Sequence, residues 1–176
     1  MRRQQSSLLP ANCRNCFDNE GGTVMYEEKL KELGLEVPQM AAPVANYVPC
    51  VVENGWLHIS GQLPMVNGQL AAAGKLGDGL DVEQGYEAAK ICALNCLGAI
   101  KQVLGSLDRV ERIVKISGFV NSAPDFTAQP KVVNGASDLL GQVFGETGVH
   151  ARSAVGVTSL PLGACCEVEL IAKIKD

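Results

Sequence analysis

Arg152 stands at the head of an extended run, Arg152 to Leu160, and two glutamates, Glu167 and Glu169, alternate in the run that follows, Cys165 to Lys173. The turn Pro161-Leu162-Gly163 between them reads as the loop of a hairpin. Successive strand side chains point to opposite sides, so Val155 and Val157 fall on one face and Arg152, Ala154, Gly156 and Thr158 on the other. Val168, Leu170, Ala172 and Ile174 mark a core face, which leaves Glu167 and Glu169 opposite. On this reading Arg152 and the two acids share the outer face of a sheet. Two chemistries fit. In a seam between protomers the planar guanidinium grips a carboxylate through two parallel charge-assisted hydrogen bonds. Alternatively Arg152 pairs with Glu167 or Glu169 across the hairpin, a structural contact worth less than about 1 kcal/mol if exposed. Spacing alone favours the ion pair.

The remaining reactive residue types point to less. The seven cysteines are odd in number and lie mostly inside apolar patterns, which fits reduced thiols better than a disulfide framework. Cys13 and Cys16 form a lone CxxC in a polar tail; metal or redox chemistry there is one reading and a flexible tail the other. Cys92 and Cys96, at i and i+4 on an apolar helix face, read as core. Cys165 and Cys166 are adjacent in a strand and point oppositely, so they do not clasp one ion. No H-x-E with P-C-x-x-C arrangement is present, which argues against a zinc deaminase. His58 alternates with Ile59 in a strand and reads as structural, while His150 precedes Arg152 and borders its cleft. No metal site is expected.

At 176 residues and 47% hydrophobic content the chain has the size of one domain with one core. A net charge of −4 gives no basic footprint for nucleic acid, and small metabolites are the better partners. There is no apolar run of about 18 residues to cross a bilayer and no apolar region of a secretory signal, so a soluble, cytoplasmic chain is expected. Residues 1–24 are polar and hold Arg2, Arg3 and Arg14 with no acid before Asp18. They read as an extension, or as an organellar transit peptide that would place the protein in a mitochondrion or other organelle. The domain proper is assigned to residues 25–176.

The elements that must position Arg152 follow from periodicity. Tyr26 to Gly34 reads as a short amphipathic helix with Leu30 and Leu33 on one face. Tyr47 to Val52 and Trp56 to Leu63 flank Asn54-Gly55, a tight hairpin turn, and Val66-Asn67-Gly68-Gln69 is a second turn. A long helix begins at the N-cap Asp81, with Gln84 in capping-box position, and ends at Gly105. Its expected buried stripe is Val82, Tyr86, Ala89, Ala93, Cys96, Ile100 and Val103. Arg112 to Val120 reads as a strand with Ile113, Lys115 and Ser117 against Val114, Ile116 and Val120. A second helix over Lys131 to Gly145 buries Val132, Ala136, Leu139, Leu140 and Val143, with its stop near Gly148. The result is an α+β sheet with helices on its apolar side. The other side meets water or a second subunit, and the small Ala154 and Gly156 permit close approach there.

The string His150-Ala-Arg152-Ser-Ala-Val-Gly-Val157, then Leu160-Pro161, then Glu167-Val168-Glu169 closely resembles the C-terminal motif of the RidA/YjgF family of reactive-intermediate deaminases, also called the endoribonuclease L-PSP family. Tyr47, Ser60-Gly61-Gln62 and Asn134 join it in family order, and the resemblance covers about residues 25–176, nearest to a longer, less characterised branch. The resemblance implies a chorismate-mutase-like fold, a homotrimer whose sheets form a central β-barrel, and clefts between subunits. It implies hydrolysis of reactive enamine or imine intermediates to keto acids and ammonia, without a cofactor. Carried over by position, Arg152 holds the substrate carboxylate and Glu167 orients or activates the water. Tyr47, Ser60, Gly61, Asn134 and Ala154 shape the substrate pocket. Many relatives have cysteine where Ala154 stands, so no thiol acts at that place here. A non-catalytic trimer that binds small carboxylates or regulates a partner is the alternative. Endoribonuclease activity is disfavoured, because RNA cleavage needs an acid, a base and a cationic phosphate site, and this acidic chain has two histidines.

Overall fold

The computed structural model describes residues 26–39 and 48–175; Tyr47, Cys13 and Cys16 lie outside the described residues. The first helix, α1 (Tyr26–Glu32), buries Leu30 and packs the Tyr26 ring, tilted by 56°, against Phe144 at 4.5 Å between centroids, which ties it to the domain. The Asn54-Gly55 turn forms with both residues at positive φ and joins β1 (Cys50–Glu53) to β2 (Trp56–Gln62) as an antiparallel hairpin. Two short ladders follow: β3 (Met65–Val66) with β4 (Gln69–Leu70), and β5 (Lys75–Leu76) with β6 (Gly79–Leu80).

Helix α2 (Val82–Leu104) carries the expected capping box: the Asp81 carboxylate accepts from the Gln84 N–H while the Gln84 amide oxygen accepts from the Asp81 N–H. Its buried face is broader than the single stripe, taking in Gly85, Ala88, Cys92, Leu97 and Ala99, and Val103 at its far end is 43% exposed. Strand β7 (Val110–Asn121) then enters the sheet. Ile113 and Ile116 are both buried, because the ladder shifts register between Ile113 and Lys115. That bulge overturns the strict alternation expected from the sequence. Helix α3 (Gln129–Phe144) buries Val132, Ala136, Leu139, Leu140 and Val143 as expected and gives way to a 3-10 turn over Gly145–Gly148.

The last two strands, β8 (Ala151–Val157) and β9 (Cys166–Ile174), do not form a hairpin with each other. The sheet order is β1-β2-β9-β7-β8: β9 lies antiparallel between β2 and β7, and β8 lies parallel to β7 at the edge. The parallel pair is the product of the β7–α3–β8 crossover, since a helix is long enough to return the chain to the start of β7. The connection from Thr158 to Cys165 is long enough to step across β7, which a tight turn is not.

This order also reverses a face assignment. Ile116 pairs with Arg152, Gly118 with Ala154 and Val120 with Gly156, so Arg152, Ala154 and Gly156 lie on the helix-covered face beside the buried side of β7. Phe119 pairs with Glu167 and Ser117 with Glu169 on the uncovered face. Arg152 and the two acids therefore occupy opposite faces of the sheet. Val155, 45% exposed, points to the uncovered side with Glu167. Cys165 precedes β9, and both Cys165 and Cys166 are buried rather than divided between faces.

Candidate functional site

The site residues fall into two groups. Around Arg152 the local cause is close packing of α3 on the sheet. Gly118 has no side chain, and a methyl there would lie 2.5 Å from a Val133 carbon, so α3 sits low over β7 and within reach of the edge strand β8. From β8 the Arg152 side chain extends to α3. Its Nη1 donates to Asn134 Oδ1 at 2.8 Å and to Ser137 Oγ at 3.0 Å, and its Nη2 donates to the Pro130 carbonyl at 3.3 Å. All three acceptors are neutral.

A guanidinium has five N–H donors in a fixed fork. With both Nη1 hydrogens and one Nη2 hydrogen engaged among the described residues, the Nε–H and one Nη2–H remain, one on each of two neighbouring nitrogens. That is the donor pair a carboxylate needs for two parallel bonds. Ion pairs among the described residues join Lys29 to Glu32, Lys90 to Glu87 and Lys101 to Glu27, and none involves Arg152. The expected alternative, an ion pair of Arg152 with Glu167 or Glu169, is thus overturned: β7 stands between the strands and the side chains point to opposite faces. Ala154 follows Arg152 on the same face, partly buried against the core.

The second group surrounds Glu167. The β2–β9 ladder slips between Ile59 and Gln62, so two residues of β2, Ser60 and Gly61, stand against one of β9, Glu169. Glu167 uses the space that Gly61 leaves: a methyl on Gly61 would lie 1.8 Å from Glu167 Oε1. Ser60 Oγ donates to the Val48 carbonyl at 2.8 Å, and Gln62 Nε2 donates to the Ser60 carbonyl at 3.0 Å, which pins this irregular segment. Burial, and then the negative charge of Glu169, push the Glu167 carboxyl above the usual carboxylate range. A carboxylate so destabilised is a better proton acceptor.

Within one chain the groups cannot share a substrate. Two strand spacings, roughly 10 Å, separate Glu167 from β8, and the sheet itself lies between its side chain and that of Arg152.

A family model described as "YjgF/chorismate_mutase-like, putative endoribonuclease" matches residues 27–174. The chain belongs to the RidA/YjgF family. Protein TCP17 of Trypanosoma cruzi is 48% identical over 148 residues, covering 84% of this chain and 92% of that protein. Among solved structures, protein Atu1372 of Agrobacterium tumefaciens, described as of unknown function, aligns at a TM-score of 0.82 and 44% identity over 87% of this chain and 94% of its own. Escherichia coli TdcF, solved with bound serine, shares the fold at a TM-score of 0.53 and 23% identity over 79% of this chain and 94% of its own. The RidA/YjgF resemblance had singled out Ser60, Gly61, Asn134, Ala154, Arg152 and Glu167, and all six fall in the two groups described; Tyr47 lies outside the described residues. The sequence reading missed Ser137 and the Pro130 carbonyl. Ser137 follows Asn134 at i+3 on the polar edge of α3, so helical spacing alone was enough to flag it as a second hydrogen-bonding partner.

Proposed function

We propose that this RidA/YjgF chain hydrolyses imines that carry a small carboxylate, as a homotrimer in which Arg152 of one protomer and Glu167 of its neighbour act on the same substrate. The observation that carries the reading is the Arg152 guanidinium, fixed by three neutral acceptors with an Nε–H and an Nη2–H left to offer among the described residues. Charge-assisted hydrogen bonds are worth about 1.5–3 kcal/mol each where water is excluded. The separation of Arg152 from Glu167 across the sheet supports a cleft built by two chains. So does the uncovered sheet face that carries Glu167, where Val51, Trp56 and Val155 are exposed. In TdcF the bound ligand is serine, whose carboxylate is the kind of group the Arg152 fork fits.

An imine carbon is electrophilic and becomes more so when its nitrogen is protonated, so the reaction needs chiefly a placed water. Glu167 takes a proton from that water as its oxygen bonds to the imine carbon. The imine nitrogen takes a proton from solvent as the carbinolamine forms. Glu167 then returns its proton to that nitrogen as the carbon–nitrogen bond breaks, and the carbinolamine hydroxyl gives its proton to solvent as it becomes the carbonyl of the keto acid, so one water is consumed and ammonia leaves. No cofactor enters this balance. The test is ammonia release from freshly generated 2-iminopropanoate, with the native chain and with Arg152→Ala. Turnover by the native chain and its loss in a variant that keeps its assembly state supports the proposal. Pyruvate binding without turnover favours instead a trimer that binds or senses small carboxylates.

A further inference from the structure

Ser137 and Arg152 belong to a longer chain of hydrogen bonds that ends on His150. The His150 Nε2 lies 3.1 Å from Ser137 Oγ, and its Nδ1 faces the Gly148 carbonyl. Gly148 lies close against the α3 backbone, since a methyl there would lie 2.3 Å from the Leu140 carbonyl oxygen. These partners fix every proton in the chain. A carbonyl oxygen only accepts, so Nδ1 carries the hydrogen and, in the neutral ring, Nε2 is an acceptor. Ser137 therefore donates its hydroxyl hydrogen to Nε2, which turns the oxygen lone pairs toward Arg152, and Nη1 donates into them. Without the imidazole the hydroxyl loses the acceptor that fixes its hydrogen, and its lone pairs are held toward the arginine by the Nη1–H alone.

We propose that His150 is a positioning residue: through the Ser137 hydroxyl it locks the Arg152 guanidinium in the rotamer that presents its Nε–H and remaining Nη2–H to a carboxylate. The inference rests on the carboxylate-binding role proposed for Arg152 and adds a requirement to it. Burial lowers the tendency of His150 to take a proton; the Gly148 carbonyl opposes this and the nearby Arg152 charge adds to it, and the net lowering keeps the ring in the form the relay needs.

The probe is pyruvate, with its Kd measured by titration calorimetry on the full chain. Ser137→Ala is expected to weaken binding about 2- to 10-fold, the range one hydrogen bond is worth, and Ser137→Thr to restore it. His150→Leu is expected to lose a similar factor, and the double variant to lose no more than either single one. A structural role for His150 has no such signature: multiplying losses, or an unchanged Kd in Ser137→Ala while Arg152→Ala abolishes binding, overturns the relay. Side-chain nitrogen NMR of the ligand-free protein reads it independently. Expected are an Nδ1–H tautomer for His150 and slow reorientation of the Arg152 guanidinium that becomes fast in Ser137→Ala and His150→Leu. If pyruvate binds equally well to Arg152→Ala, the carboxylate-binding role fails, and the NMR still decides the relay: a mobile guanidinium in the native protein or an Nε2–H ring sinks it.

Discussion

The Glu167 carboxylate rests on the bare α-carbon of Gly61, close enough that a single methyl would occupy the position of its oxygen. The overlap falls on the end of a flexible, half-exposed side chain, which can swing away. Gly61→Ala is therefore expected to change stability by less than about 1 kcal/mol while lowering kcat at least about tenfold. Thermal melts beside ammonia-release kinetics check this; an active Gly61→Ala variant detaches Glu167 from the chemistry.

The raised Glu167 pKa makes two linked predictions with opposite signs. As the proposed proton acceptor, Glu167 must be ionised, so kcat/KM is expected to fall as pH drops through its elevated pKa. For folding, the native state holds this proton more tightly than the unfolded chain. The contribution to stability is complete below the unfolded value of 4.5 and is lost as pH rises through the native one. Glu167→Gln removes that loss. The variant is expected to melt slightly higher than the native chain at pH 7 and to release ammonia at least about 100-fold more slowly. Melting curves and rates across pH measure both.

If Arg152 and Glu167 meet only across a subunit boundary, inactive variants rescue one another. Arg152→Ala and Glu167→Gln chains, unfolded together and refolded, are expected to recover about a quarter of native activity, the share of boundaries in random trimers that unite two intact residues. Separately refolded chains mixed at the end recover none. No recovery in the co-refolded sample overturns the shared cleft between protomers.

Gly135 is a structural counterpart to Gly61. A methyl on it would lie 1.9 Å from the Tyr86 carbonyl oxygen, part of the α2 backbone, so the two helices must part to admit it. Gly135→Ala is expected to destabilise the fold by about 1–3 kcal/mol or more, readable by urea titration, with whatever folds retaining native pyruvate affinity.

Much of this fold is legible in residue order. The Asp81 and Gln84 capping box, the Asn54-Gly55 turn and the buried face of α3 each depend on neighbours a few positions away, and each appears where the sequence puts it. Cys92 and Cys96 lie buried as their apolar helix face suggests. What the pattern does not contain is partner choice. Alternation groups Arg152 with Ala154 and Gly156 correctly, yet which side of the sheet that group occupies depends on pairing with β7, some 35 positions earlier, through the register of Ile116 with Arg152. The β7 bulge is hidden for the same reason, since it exists only relative to β9. The six described residues drawn from the family motif were legible as a set, but their division between two faces was not.

The position of β9 shapes how the chain comes to be folded during translation. Residues 166–174 pair on both sides, joining the β1–β2 hairpin to the β7–β8 pair, although they are made after every other strand. A nascent chain that has emerged only as far as Leu160 holds two disconnected pieces of sheet with open edges flanking a gap, and a chaperone or ribosome surface that shields those edges guards against premature association.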